Sequence, residues 1–234
     1  MIIALNNKCN LSKKEFELYQ KELSNIKEND SKLILCPTAT YLALYNLSNM
    51  ELGSQNVSKN NLGAHTGEIA ASQLASLNVK YCIVGHSERR NDEHEDLETV
   101  NLKVKNLLNN HIIPILCVGE TKEEKEKGQT RYLIAEQIKT AIASLTPEEK
   151  SKIIVAYEPI WSIGTGLIPT IDDINMVLSL IKEILPMSKT LYGGSANDEN
   201  IDYLKKCKLI DGYLLGGLSL KPEKLQIFIN KAQN

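Results

Sequence analysis

Apolar residues in this chain gather into short, nearly continuous runs, and the stretches between them are polar with helical spacing. The runs are Ile2–Asn6, Lys32–Pro37, Glu51–Val57, Val79–Gly85, Ile112–Gly119, Lys152–Glu158, Lys189–Gly193 and Ile210–Gly216. Ile, Val, Leu and Tyr dominate them, with little alternation of apolar and polar positions. That pattern predicts strands buried on both faces of a parallel sheet. Between them, Glu15 to Ile26 places Phe16, Tyr19, Leu23 and Ile26 on one side, behind a capping box at Ser12-Lys13-Lys14-Glu15. Thr146-Pro147-Glu148-Glu149 is a second helix start, with Pro at the first helical position. Ile174 to Leu185 carries Ile174, Val177, Leu178, Ile181 and Leu185 on one stripe and is ended by Pro186. A last helix is expected from Pro222 to Ala232.

Eight strand-like runs alternate with about eight helical stretches, and no linker or compositional shift divides them. The expectation is an α/β fold, one closed (β/α)8 barrel, with residues 1–234 forming a single domain. An open nucleotide-binding sheet would carry G-x-G-x-x-G after its first strand. This chain has Asn6-Asn7-Lys8-Cys9-Asn10 there.

Charge narrows the partners. Lys plus Arg total 27 and Asp plus Glu 29, a formal net charge of −2, which gives no electrostatic case for nucleic acid or an acidic membrane surface. The apolar start, Met1 to Leu5, meets Asn6-Asn7-Lys8 too soon for a signal peptide, and no run approaches a membrane span. The five Cys (9, 36, 82, 117 and 207) are unclustered and mostly inside apolar runs. They read as free thiols in a reducing cytoplasm, with no metal site.

In such barrels the chemistry lies at the C-terminal ends of the strands. Here those ends carry Asn6 and Lys8, His86 with Glu88, Glu158, Gly193-Gly194-Ser195, and Gly216-Gly217. The Gly-rich turns after the seventh and eighth runs let backbone N–H groups approach a phosphate closely. Either pair alone would more readily be an ordinary tight turn; both at the two strand ends where barrels hold phosphate favour the anion. Glu158 ends an apolar run and leads at once into Pro159-Ile160-Trp161-Ser162-Ile163-Gly164-Thr165-Gly166, a loop stiff at its start and flexible at its end. Such a loop suits a lid that closes over a ligand and excludes water around a catalytic base.

Six motifs in order carry a family resemblance. Asn6-x-Lys8, Gly85 to Arg90, Cys117 to Glu120, Tyr157 to Gly166, Tyr192 to Ser195 and Asp211 to Gly217 together resemble the triose-phosphate isomerase family over nearly the whole chain. The resemblance implies a TIM barrel and a cofactor-independent interconversion of dihydroxyacetone phosphate and glyceraldehyde 3-phosphate through an enediolate. It implies Glu158 as base, His86 as neutral electrophile and Lys8 as the cation for phosphate and oxyanion, roles that come with the resemblance because the family is a standard case of paired acid–base groups. Asn6 is implied as a donor beside Lys8, and Glu88 as a residue that orients Lys8 or joins proton transfer. Gly164, Ser195, Gly216 and Gly217 are implied phosphate contacts, residues 159–166 the lid, and Tyr192 its anchor. A homodimer through the loop around Thr66 is also implied. The chain departs from the family at Asn7 (usually Trp), Cys9 (usually Met) and His65 (usually aromatic).

Plainer readings apply elsewhere. His65, His94 and His111 are expected to be structural or exposed, Cys117 a core thiol and Glu120 structural. His86-x-Glu88 has no further ligands nearby to make a metal site. A Schiff-base aldolase would need a lysine inside the mouth, and only Lys8 stands at the top. A catalytically idle binding module is disfavoured because Lys8, His86 and Glu158 are all kept.

Overall fold

A computed structural model of the chain describes residues 1–233. Asn234, the end of the expected domain, lies outside the described residues. Eight parallel strands pair in chain order and close into a barrel, with β1 bonded to both β2 and β8. They are β1 Ile2–Asn6, β2 Lys32–Cys36, β3 Glu51–Ser54, β4 Tyr81–Val84, β5 Ile113–Val118, β6 Ile154–Tyr157, β7 Lys189–Tyr192 and β8 Gly212–Leu215. The surrounding helices are α1 Lys13–Leu23, α2 Ala71–Ser76, α3 Ser87–Asn91, α4 Leu97–Asn109, α5 Lys122–Glu126, α6 Thr130–Ala141, α7 Pro147–Ser151, α8 Ile171–Ile184, α9 Ile201–Leu204 and α10 Pro222–Gln233.

Every expected strand is present, and most are shorter than their apolar runs. The third stops at Ser54 rather than Val57 because Ser54 Oγ bonds the Asn56 carbonyl while Gln55 Nε2 turns aside to the carbonyls of Lys8 and Cys36. The fourth ends before Gly85, whose φ of 67° leaves the extended region. The second stops before Pro37, which has no N–H for the ladder. Helix count also differs from the expected eight. Unit two has only a 3₁₀ turn, Ala39–Leu44, and units four and five are divided into several helices. The capping box at Ser12 and Glu15 forms as read, but it opens α1 at Lys13, and the helix ends at Leu23 rather than Ile26. Thr146 and Glu149 also form a box, with Pro147 at the first helical position between them.

Strand alternation sorts the core into two layers. Ala4, Ile34, Cys36, Ile83, Ile115, Cys117, Ala156, Leu191 and Leu214 fill the barrel lumen. Their neighbours Ile3, Leu5, Val84, Val118, Tyr157, Tyr192 and Tyr213 face the helices. The lumen is therefore a packed plug, and only its upper end is open to a ligand.

Candidate active site

One more step of the inward alternation brings Asn6, Gly85, Gly119, Glu158, Gly193 and Gly216 to the top of the lumen. Two polar side chains thus stand among four glycines. The space is needed. A Cβ on Gly119 would lie 1.8 Å from the Glu158 carbonyl oxygen, and one on Gly193 would lie 3.0 Å from Glu158 Cγ. Above this layer is a cavity of about 440 Å³ lined by Asn6, Lys8, His86, Glu158, Gly164, Ser195, Gly216 and Gly217.

Glu158 and His86 meet inside it. The ladder runs on past β6, with Glu158 N–H donating to Val118 O at 2.7 Å, so Glu158 is held by a fixed backbone. His86 caps α3, and its Nδ1 accepts the Glu88 amide at 3.2 Å. Accepting that bond requires a lone pair on Nδ1, so the ring hydrogen sits on Nε2. His86 Nε2 is 3.1 Å from Glu158 Oε1, and Ser87 N–H donates to Glu158 Oε2 at 3.0 Å. Both carboxylate oxygens are thereby engaged on the α3 side of the cavity. The carboxylate is 1 % exposed, with Cys117 beneath it. Burial pushes that thiol well above its usual range, and the Glu158 charge pushes it further, so Cys117 is an inert core group as expected.

Lys8 is placed by an unusual backbone. Its φ is 51°, the left-handed region, and its amide donates to Asn6 Oδ1 at 3.0 Å. Its carbonyl accepts from Thr38 Oγ1 at 3.1 Å and Gln55 Nε2 at 2.9 Å. The ammonium forms an ion pair with Glu88, and the side-chain stem passes over Gly216. Glu88 is half exposed and does not line the main cavity, so its geometry matches the orienting reading better than proton transfer.

The lid and the Gly-rich turns interlock. Ser195 Oγ donates to the Ser162 carbonyl, and the Ser195 amide donates to Ser162 Oγ at 3.3 Å. Ser162 Oγ donates to the Leu167 carbonyl at 2.6 Å and lies 3.4 Å from Tyr192 Oη. Ser162, buried within the 159–166 loop, is the hub that the sequence reading missed; nothing in the motif marks one loop residue above the others. Gly164 and Gly166 have φ of 71° and 77° and open space at Cβ. Trp161 Nε1 and Tyr157 Oη both donate to Glu120 Oε1 at 3.1 Å, and Lys125 stacks over the Trp161 ring at 4.3 Å. Burial raises the Glu120 pKa despite those two donors, and its place outside the cavity fits the structural reading.

The other readings fall elsewhere. His65, His94 and His111 are exposed, as is the whole loop from Gly63 to Glu68 that carries Thr66. Thr66 is thus not brought to the cavity of its own chain. Cys9 is exposed, while Asn7 is fully buried beneath Lys8 and hydrogen bonded there. Among the described residues no three His, Cys, Asp or Glu side chains converge as a metal site, and no helix is long and apolar enough to cross a membrane.

Comparison with known proteins adds an independent line. A family model described as "Triosephosphate isomerase" matches residues 1–232. A triosephosphate isomerase of Dictyoglomus thermophilum is 40 % identical, with 95 % of each chain covered. That of Mesomycoplasma hyorhinis is 42 % identical over 92 % of this chain and 90 % of its own. That of Mycoplasmopsis pulmonis is 44 % identical over 80 % of this chain and 77 % of its own.

Proposed function

The chain belongs to the triosephosphate isomerase family, and from that premise we propose how its residues interconvert dihydroxyacetone phosphate and D-glyceraldehyde 3-phosphate. Glu158 takes the proton from the carbon beside the carbonyl. His86 Nε2–H and the Asn6 amide donate to the substrate oxygens, so charge that leaves the carbon settles on a hydrogen-bonded enediolate oxygen. Lys8 faces that oxygen and the phosphate. Glu158 then returns the proton to the neighbouring carbon while the hydroxyl hydrogen passes from one enediolate oxygen to the other beside His86, with no cofactor. The observation that carries this reading is the meeting of a buried carboxylate and an imidazole with a fixed Nε2 hydrogen, 3.1 Å apart, at the open end of a packed barrel.

The geometry also supports a gated cycle. Glu158 is tied to Ser87 N–H and His86, so it must leave those partners to reach a carbon in the cavity. Ser195 must likewise leave Ser162 to bind phosphate through its amide and hydroxyl. One movement of residues 159–166 releases Ser195 and brings the Gly164 amide to the phosphate beside Gly216 and Gly217. Water exclusion by the closed lid strengthens the base and protects the enediolate.

The same reading takes residues 1–234 as one domain and the enzyme as a cytoplasmic homodimer serving glycolysis and gluconeogenesis. The exposed loop around Thr66, with Leu62 68 % exposed beside it, supports the dimer, and the free thiols fit the compartment. The direct test is an assay from glyceraldehyde 3-phosphate, with product detected by NADH oxidation through a glycerol-phosphate dehydrogenase. Turnover approaching the diffusion ceiling of about 10⁸ M⁻¹s⁻¹ is expected. A folded dimer without turnover would contradict the proposal.

A further inference from the structure

Beneath Lys8 lies a buried polar cluster that the proposed chemistry does not use. Asn7 is 1 % exposed, and its Nδ2 donates to Tyr19 Oη at 3.2 Å and to Ser219 Oγ at 3.3 Å. Both hydroxyl hydrogens are already committed. Tyr19 Oη donates to the Ser219 carbonyl, and Ser219 Oγ donates to the Asn6 carbonyl at 3.2 Å. The group facing them must therefore be the amide NH₂, which fixes the side chain's orientation. Asn7 Oδ1, on the other side, is buried and has no partner among the described residues. A buried acceptor left unmatched is costly, and an apolar residue would avoid that cost. Burial pushes the Tyr19 phenol up, so it stays a neutral donor across the working pH range.

The cluster joins three elements that the chain keeps far apart. Asn7 follows β1 and precedes Lys8, Tyr19 is on α1, and Ser219 sits in the 3₁₀ turn Gly217–Leu220 directly after Gly216. On one side of the lock is the residue that carries the cation, and on the other is the turn that carries two phosphate-binding amides. Lys8 already runs closely over Gly216, 3.4 Å from where a Cβ would stand, so a small slip between the two changes the anion pocket directly. Glu158 and His86 are held separately, through Val118, Ser87 and α3.

We propose that Asn7 is a positioning residue for phosphate recognition, locking the Lys8 backbone to the Gly216–Gly217 turn through Tyr19 and Ser219. The inference rests on the reading of that turn and Lys8 as the phosphate side of the site. It predicts that the network governs how well a phosphate dianion is bound while leaving the proton-transfer pair in place.

The experiment compares the full-length chain with its Asn7→Ala, Tyr19→Phe and Ser219→Ala variants. Three readouts are taken: the dissociation constant of inorganic phosphate by calorimetry, the ratio of kcat/KM for glyceraldehyde 3-phosphate to that for unphosphorylated glyceraldehyde, and the melting temperature. Asn7→Ala should weaken phosphate binding and lower the specificity ratio by about 10-fold, the scale of a sub-ångström misplacement in a preorganised site. Tyr19→Phe opens no cavity and should fold; it should show a smaller loss of the same kind, less than additive with Asn7→Ala because the two act through one network. A lower melting temperature with phosphate affinity and ratio within about twofold of wild type would overturn the proposal, since a merely structural cluster gives that result. The phosphate titration needs no turnover. Weakened phosphate binding in Asn7→Ala beside a wild-type chain that fails to isomerise would sink the isomerase reading and leave this one standing.

Discussion

The two ends of the barrel hold a carboxylate in opposite ways. At the lower end Asp211 accepts from Lys182 at 3.0 Å, Lys189 at 2.9 Å and the Thr190 amide at 2.9 Å. Burial alone would raise its pKa, but the Thr190 amide and the two lysines outweigh burial and hold it at about 2. At the upper end Glu158 is more deeply buried and, among the described residues, pairs with no lysine or arginine, meeting an amide, an imidazole and the Cys117 thiol. A charge matched by cations contributes to stability and has little reason to move. A charge held by a few hydrogen bonds can exchange them for a substrate. The barrel thus keeps its matched carboxylate at the end away from the cavity and its weakly matched one at the mouth.

The largest effect should come from the upper carboxylate. Glu158→Gln keeps the shape and removes the base, so kcat/KM in the coupled assay should fall about 10³-fold or more while the melting temperature barely changes. Near-normal turnover would break the contrast between the two ends. His86→Gln should cost about 10²-fold in kcat, because it removes a preorganised donor from the developing oxyanion, with a smaller change in KM.

The lower carboxylate should behave the other way. Asp211→Asn should leave kcat/KM within about twofold and cost about 2 kcal/mol in urea unfolding, the value of hydrogen bonds to a charged group. Its pH dependence has a definite sign. The folded pKa, about 2, lies below the unfolded value of about 3.9, so the stabilisation is complete above about pH 5 and is lost as pH falls toward 2. Unfolding curves of wild type and Asp211→Asn between pH 7 and pH 2 should therefore converge at the acid end. The smallest effect is at the phosphate loop. Ser195→Ala removes one hydroxyl donor, worth about 1 kcal/mol, and should raise KM about fivefold for the phosphorylated triose while sparing unphosphorylated glyceraldehyde.

Much of this layout was legible in the chain. Strands buried on both faces betray themselves as continuous apolar runs, and the β1 run matches its ladder from Ile2 to Asn6. Runs overshoot where a side chain competes with the ladder, as Ser54 and Gln55 do, or where glycine turns the backbone, as at Gly85. The strand ends round the cavity were readable from the apolar runs, while the roles of their residues, and of Gly164 in the loop, came from the family resemblance. Thr66 lies on an exposed loop and does not line the cavity of its own chain. Three features had no local signal. Ser162 as the lid's hub, Ser87 N–H as a partner of Glu158, and the Asn7–Tyr19–Ser219 lock all depend on contacts between residues 12 to 212 positions apart. Asn7 was visible only as a departure from a family pattern, and the structure places it in a hydrogen-bonded cluster.

The most direct test of the central claim follows the proton itself. Isomerisation of glyceraldehyde 3-phosphate in D₂O, with deuterium in the product located by NMR, reports whether a base on the protein carries hydrogen between adjacent carbons. Wild type should place solvent deuterium at the newly protonated carbon in part of the product, and Glu158→Gln should lose turnover and incorporation together. Full turnover in Glu158→Gln, with deuterium still entering the product at that carbon, would contradict the account.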